Sequence, residues 1–222
     1  MFNEHQTVLV VGAHPDDEVL GAGGAIARHS DAGQDVYVLI VTEGTTQQYD
    51  SDEIIKRKKK ETQRCADILG VTDVYFGDLP DMRLDSLDHV TINSVIEEVC
   101  HEITPDIVYT HSRREMNKDH VMVHDSTLVA TRPDSNVSKV LAYETPSSTE
   151  YAPVTDGFTP ELFIDITDYV DTKINAFNAY KTETRTYPHP RSDRYLRALS
   201  MIRGAASGTD AAEAFDVLRI YE

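Results

Sequence analysis

The chain of 222 residues carries 38 acidic and 21 basic side chains, a formal net charge of −17 at pH 7. Hydrophobic residues make up 40% of it, enough for an ordinary buried core, and no apolar stretch approaches the roughly 20 residues that cross a bilayer. An acidic surface repels nucleic acid and anionic lipid, so we expect neither as a partner.

Apolar runs alternate with helical patterns, which predicts a single α/β domain over residues 1–222. Its expected architecture is a Rossmann-like, doubly wound, mostly parallel sheet flanked by helices. The predicted strands are Thr7–Gly12, Asp35–Val41, Asp73–Phe76, Asp106–Thr110, Lys139–Tyr143 and Leu162–Ile164. The predicted helices between them are Val19–Asp31, Asp52–Leu69 and Val90–Glu102. From Tyr169 onward the pattern predicts two helices and a final strand at Val217–Ile220.

The first strand runs directly into Ala13-His14-Pro15-Asp16-Asp17-Glu18. This places an imidazole and adjacent carboxylates at the end of a buried strand, where open α/β folds build their sites. The acidic residues would repel a dinucleotide pyrophosphate, and Gly21-Ala22-Gly23-Gly24 falls inside the following helix rather than in a phosphate-binding turn. The run therefore predicts a hydrolytic metal site.

The run from Ala13 to Glu18 resembles the first signature of the PIG-L/LmbE-type de-N-acetylases. A second match to that family is His111-Ser112-Arg113-Arg114-Glu115-Met116-Asn117-Lys118-Asp119-His120. Weaker similarity at Leu79-Pro80-Asp81, Phe163-Ile164-Asp165-Ile166 and Ala214-Phe215-Asp216-Val217-Leu218 extends it over nearly the whole chain. Members of that family are zinc hydrolases that remove acyl groups from N-acetylglucosamine-type sugars. The resemblance implies one Zn²⁺ per chain, with another divalent ion as the alternative, an N-acetylated sugar substrate, and assembly into a trimer or hexamer.

The metal ligands implied by the resemblance are His14, Asp17 and His120. Zinc binds imidazole nitrogen and carboxylate oxygen at about 2.0–2.2 Å, and a catalytic site keeps one position open for water. The competing third ligand is His124, four residues after His120 and so on the same face of a helix that begins there. A metal bound by all four groups would be closed and structural, so we expect His124 to pack or orient instead.

The family pattern makes Asp16 the general base, which takes a proton from the attacking water. We expect Asp119 to orient an imidazole of the site, or alternatively to cap the helix from His120. Asn117 stands where many relatives have histidine, and it can donate a hydrogen bond to an oxyanion but cannot supply a proton. His111, which ends a predicted strand at the same sheet edge, is a further catalytic candidate.

Two basic segments are candidates for binding the substrate. In the family that this chain resembles, an arginine that binds substrate stands three residues before a glutamate. Counting back from Glu61 gives Lys58, which keeps the charge but loses the bidentate fork, with Arg57 as the alternative register. His189 and Arg191 lie in a proline-rich loop that either reaches the sugar hydroxyls or forms an ordinary turn before a helix from Ser192.

The sequence thus predicts a zinc-dependent hydrolase that removes the N-acetyl group of an amino sugar or its conjugate, releasing acetate and a free amine. The alternatives are an LmbE-like amidase acting on a thiol conjugate or a non-acetyl N-acyl group, and a non-catalytic metal-binding scaffold. A scaffold has no need of Asp16, which argues against the last.

Three weaker features concern the setting of the protein. The N-terminus lacks the charge pattern and apolar run of a signal peptide, which predicts a cytoplasmic location. The excess of aspartate over glutamate and the scarcity of lysine suit concentrated salt, which predicts a halophilic source. Cys65 and Cys100 are expected to be buried thiols in helices.

Overall fold

The computed structural model describes residues 5–45, 52–152 and 157–221. Within these ranges the strands are β1 (Thr7–Gly12), β2 (Asp35–Thr42), β3 (Asp73–Leu79), β4 (Ile107–His111), β5 (Lys139–Tyr143), β6 (Leu162–Asp165) and β7 (Ala212–Ile220). The helices are α1 (Asp17–Asp31), α2 (Asp52–Leu69), α3 (His89–Ile103), α4 (Lys118–Ala130), α5 (Val170–Phe177) and α6 (Asp193–Ser207). None of these helices is both long and apolar enough to cross a bilayer.

The strands form one sheet in the order β3-β2-β1-β4-β5-β7-β6. The first five are parallel to their neighbours, whereas β7 runs antiparallel to both β5 and β6. This confirms the predicted α/β fold with a mostly parallel, Rossmann-like sheet.

Helices cover both faces of the sheet, because the central strands are apolar on both sides. In β1, Val8 and Val10 belong to a core shared with α1, α2, α5 and α6. Leu9 and Val11 point the opposite way, into a second core with α3 and α4. The alternation of a single strand therefore anchors the sheet in both cores.

The predicted strand bounds agree with the structure to within one residue except at two strands. Strand β3 continues to Leu79 rather than ending at Phe76, and the last strand begins at Ala212 rather than Val217. The first residues of β7, Ala212-Glu213-Ala214-Phe215, include poor strand formers, yet they are buried. All four pair with β6, and Phe215 also pairs with β5. Burial and pairing with β6 therefore outweigh local propensity here. Cys65 and Cys100 are buried free thiols in α2 and α3, as predicted.

Helix α1 contains a break at Ala22, whose φ of −134° and ψ of 15° are not helical. The break frees backbone N–H groups, and those of Gly24 and Ala25 donate to the Glu213 carboxylate at 2.9 and 2.7 Å. Lys173 Nζ lies 2.6 Å from the same carboxylate, so this buried charge is paired as well as hydrogen-bonded. The glycine-rich run thus lies inside a helix, as predicted.

Gly21 lies against the ring of Tyr143, and an added Cβ would meet ring atoms at 2.1 and 2.5 Å. That ring is held in place, because Tyr143 Oη donates to the Val11 carbonyl at 2.7 Å. The close approach fixes α1 against the sheet directly behind the acidic run.

We predict that Gly21→Ala lowers the free energy of unfolding by roughly 1–3 kcal/mol, measured by urea denaturation, because overpacking a core costs about that much. Helix propensity alone predicts that the same substitution raises the free energy of unfolding by about 1 kcal/mol. The sign of the measured change therefore separates overpacking from helix propensity. Gly157→Ala, where nothing lies within 4 Å of the new Cβ, is the control. A Gly21→Ala variant as stable as the parent would contradict the packing argument.

Candidate active site

The candidate site lies where the strand order reverses. From β1 the chain proceeds to β2 and β3 on one side, and β4 and β5 follow on the other, so β1 and β4 are neighbours at a topological switch point. His14 and Asp17 follow β1, His111 ends β4, and His120 lies in the first turn of α4. Residues about a hundred positions apart in the chain therefore meet at one sheet edge.

Three donor atoms converge there. His14 Nδ1 lies 3.1 Å from Asp17 Oδ2 and 3.2 Å from His120 Nε2, and the remaining pair, His120 Nε2 and Asp17 Oδ2, is 3.3 Å apart. Asp17 and His120 are buried, and His14 is partly buried and lines the cavity. These are the three ligands predicted from the sequence.

This donor set fits a zinc ion. A tetrahedron with ligand bonds of about 2.05 Å has edges of about 3.3 Å, which matches the three separations. The two facing nitrogens of His14 and His120 can share only one proton, and Asp17 Oδ1 is buried without a hydrogen-bond partner among the described residues. A cation would accept lone pairs from both nitrogens and balance the charge of the buried carboxylate.

The outer nitrogen of each imidazole is held by a carboxylate. His120 Nδ1 lies 3.3 Å from Glu115 Oε2. His14 Nε2 lies 3.3 Å from Asp119 Oδ2 and 3.1 Å from Asp81 Oδ1. Such carboxylates fix the ring orientation of metal-binding histidines and increase their basicity. The geometry thus supports the orienting role predicted for Asp119.

The ionisation of the cluster reflects its charge balance. Burial alone would raise the pKa of Asp17, but the imidazoles of His120 and His111 bring it well below its usual range. Burial acts to lower the pKa of His120, but Asp17 and Glu115 raise it to about 8 overall. The pKa of His14 is likewise raised, against burial, by Asp119, Asp17 and Asp81. The cluster therefore favours positive charge at its centre.

His111 lies behind these ligands rather than in the cavity. Its Nε2 accepts a hydrogen bond from the Ala13 N–H at 2.9 Å, its Nδ1 lies 3.1 Å from Thr145 Oγ1, and its ring stacks on His120 with centroids 4.0 Å apart. Burial, assisted by His120, lowers the pKa of His111 to about 4. Because the ring is fully buried and absent from the cavity lining, we infer that His111 positions its neighbours rather than contacting substrate.

His124 is not part of the donor cluster, in agreement with the choice of His120. Its Nδ1 donates to the His111 carbonyl at 2.8 Å, and the ring borders a different depression, shared with Asp216. Four helical residues advance about 6 Å along the axis, which carries His124 away from the sheet edge.

Asn117, not Asp119, caps helix α4, so that alternative for Asp119 is wrong. The Asp119 N–H donates to Asn117 Oδ1 at 2.9 Å. Because the amide oxygen accepts from the helix, Nδ2 is the donor that Asn117 presents toward the cavity, where it lies 3.8 Å from Sδ of Met82, another lining residue. The cap thereby orients the amide as a donor, as the predicted oxyanion role requires.

Asp16 is buried, lines the same cavity and has a φ of 118°, which is strained for a non-glycine residue. Its N–H donates to Glu18 Oε2 at 3.1 Å, and Glu18 Oε1 accepts from Tyr180 Oη at 2.6 Å. Burial raises the pKa of Asp16 to about 8, against the opposing effect of Arg191. The turn lets consecutive carboxylates separate: Asp17 faces the donor cluster and Asp16 faces the cavity.

The cavity beside Asp16 has a volume of about 540 Å³, within the usual range of ligand sites. Arg191 Nη1 lies 2.9 Å from both Asp16 Oδ2 and Glu183 Oε2, and Lys58 Nζ ion-pairs with Glu183 Oε1. Arg57 also lines this cavity.

His189 does not line the cavity. Its ring is exposed, and Nδ1 accepts a hydrogen bond from the Arg191 N–H at 3.0 Å. Among the predicted substrate-binding residues, Arg57, Lys58 and Arg191 are therefore brought together and His189 is not.

Three site residues received no role from the sequence. Asp81 and Glu115 stand inside segments that carried the family resemblance, so their position was the available signal. Glu183 lies in Lys181-Thr182-Glu183-Thr184, which matches no motif, and only the fold brings it beside Lys58 and Arg191.

Comparison with known proteins agrees with this geometry. The family model of PIG-L, described as GlcNAc-PI de-N-acetylase, matches residues 9–131. The chain belongs to the PIG-L family. A diacetylchitobiose deacetylase of Thermococcus kodakarensis is 28% identical over 223 residues, covering 96% of this chain and 83% of that protein.

Other PIG-L-like proteins show how far the likeness extends. The structure of an N,N′-diacetylchitobiose deacetylase from Pyrococcus horikoshii superimposes with a TM-score of 0.80 at 22% identity, covering 98% of this chain and 85% of that one. A 4-oxalmesaconate hydratase of Pseudomonas putida is 28% identical over 199 residues, covering 79% of this chain and 73% of that enzyme. Relatives thus include a hydratase, so the reaction must be argued from the site.

We predict that His14→Ala, Asp17→Ala and His120→Ala each abolish stoichiometric zinc binding, measured by elemental analysis after dialysis, because each removes one of three protein ligands. His124→Ala is the matched control and keeps one zinc per chain. Loss of zinc from His124→Ala with retention by His120→Ala would reverse the assignment.

We further predict that Tyr180→Phe lowers kcat about tenfold while zinc content is unchanged, since it removes a charge-assisted hydrogen bond from the carboxylate that holds Asp16. Tyr169→Phe, which removes the hydroxyl bonded to Asp31 on the surface, is the control and should not change kcat. Equal activity of the two variants would show that Glu18 does not position Asp16.

Proposed function

We propose that this PIG-L family member is a metal-dependent hydrolase that removes the N-acetyl group from an N-acetylated amino sugar or its conjugate. The observation that carries the proposal is the juxtaposition of the donor cluster of His14, Asp17 and His120 with a separate carboxylate, Asp16, which faces a cavity of sugar-binding size. The deacetylase relatives support the same reaction class.

The residues fit one zinc ion, and we propose zinc as the resident metal. When bound, zinc supplies Lewis-acid polarisation of the amide carbonyl and lowers the pKa of water. His14, Asp17 and His120 would hold it, with Glu115, Asp119 and Asp81 fixing the two rings.

Asp16 carries the proton in this proposal. It takes a proton from the attacking water as the new C–O bond forms, and it returns that proton to the amide nitrogen as the C–N bond breaks. Acetate and a free amine leave. His111 is buried behind the ligands, and Asn117 cannot give up a proton, so neither competes with Asp16 for this role.

Asn117 and Arg191 act beside this carboxylate. Asn117 Nδ2 donates to the developing oxyanion, for which its capped orientation is suited. Arg191 ion-pairs with Asp16 at 2.9 Å and holds the carboxylate at the cavity wall.

The test is release of amine and acetate from N-acetylglucosamine and N,N′-diacetylchitobiose with and without added zinc. We predict zinc-dependent release of both products in equal amounts. Release from a thiol-conjugate amide but from neither sugar would favour the alternative amidase.

We predict that Asp16→Asn retains zinc and lowers kcat by about 10³-fold or more, because it removes proton transfer in both steps. Asn117→Ala should lose about 10-fold to 10²-fold, as for one oxyanion donor. Asp168→Asn, which alters an exposed carboxylate outside the cavity, is the control and keeps full activity. Full activity of Asp16→Asn would refute the single-carboxylate mechanism.

A further inference from the structure

The cavity beside Asp16 concentrates basic side chains in a protein whose formal net charge is −17. Its lining combines basic residues from α2 and from the segment between α5 and α6. The basic lining residues are Arg57, Lys58, Arg185 and Arg191, and the acidic ones are Asp16, Asp81 and Glu183.

The acidic lining residues are already matched by cations or by an imidazole. Arg191 faces Asp16 and Glu183, and Lys58 faces Glu183. Asp81 lies 3.1 Å from the His14 ring. These contacts pair Lys58 and Arg191 with carboxylates, but they do not involve Arg57 or Arg185, the other two arginines of the lining.

Arg57 and Arg185 are exposed and form no ion pair within residues 5–45, 52–152 and 157–221. The Arg185 guanidinium is nevertheless held in place, because its Nη1 donates to the carbonyls of Thr182 and Thr184. Only this nitrogen is engaged in the described part of the chain, so the rest of the fork remains available. Two cationic groups of the lining thus have no carboxylate partner among the residues that the structure describes.

We propose that Arg57 and Arg185 form a subsite for an anionic group, a carboxylate or a phosphate, on the part of the substrate that leads away from the N-acetyl sugar. A guanidinium fork matches both oxyanions in geometry. Because the net negative charge of the protein repels anions, this subsite also directs an acidic conjugate into the cavity beside Asp16. This inference rests on the proposed deacetylation and makes acidic conjugates its preferred substrates.

The test compares three N-acetylglucosaminides that share one linkage and differ only in the aglycone: glycerol, glyceric acid and glycerol phosphate. We expect kcat/KM to be higher for the acidic glycosides than for the glycerol glycoside, and the order of the two acidic ones identifies carboxylate or phosphate as the preferred group. In R57Q/R185Q the acidic-to-neutral ratio should fall about 100-fold, roughly tenfold for each charged hydrogen-bonding group lost.

The matched control is R64Q, which removes an exposed positive charge from the same helix α2 outside the cavity lining and should leave the ratio unchanged. Raising the salt concentration from about 0.1 M to about 1 M shortens the Debye length from about 10 to 3 Å and should reduce the preference in the wild type. A wild-type ratio near one, or a ratio that R57Q/R185Q leaves intact, overturns the subsite.

Calorimetric binding of the three corresponding free-amine glycosides to wild type, R57Q/R185Q and R64Q separates this inference from the proposed reaction. If no glycoside is deacetylated but the acidic amines bind wild type more tightly than R57Q/R185Q, the subsite stands and the proposed reaction fails. If deacetylation occurs and each of the three amines binds wild type and R57Q/R185Q with equal affinity, the reaction stands and the subsite fails.

Discussion

The buried carboxylate of Asp17 is the constraint around which the site is arranged. Its side chain is fully buried, and a buried charge is costly unless it is paired and hydrogen-bonded. Asp17 Oδ2 accepts a hydrogen bond from the backbone N–H of His14 at 2.8 Å. The same oxygen lies 3.1–3.3 Å from ring nitrogens of His14, His111 and His120. Three imidazoles therefore collect around one oxygen, and two of them present the nitrogens that a metal requires.

The fold supplies these partners because β1 and β4 are adjacent at the point where the strand order reverses. The turn after β1 delivers His14 and Asp17, and the segment after β4 delivers His120. Strain at Asp16 follows from the same arrangement, since two consecutive carboxylates must serve a metal cluster and a substrate cavity. Glu18 and Tyr180 stabilise that strained turn from behind.

Local periodicity was sufficient for the α/β fold with its mostly parallel sheet. A strand end followed by His14 and Asp17 gives two of the three residues of the donor cluster, and the resemblance supplied His120 as the third. The link between Arg191 and Glu183 could not be predicted, because it depends on the path of the loop between α5 and α6. The placement of His111 could not be predicted either, because a position at the sheet edge does not reveal whether a ring faces the cavity or lies behind the donor cluster.

The central claim is that one metal ion sits among His14 Nδ1, Asp17 Oδ2 and His120 Nε2, with Asp16 beside it but not bound to it. Anomalous diffraction at the zinc edge from crystals of the zinc-loaded protein tests this directly. The account predicts a single peak per chain, at bonding distance from those three atoms. A peak bound instead by Asp16, by His124 or by the Asp81 and Asp119 carboxylates would contradict it.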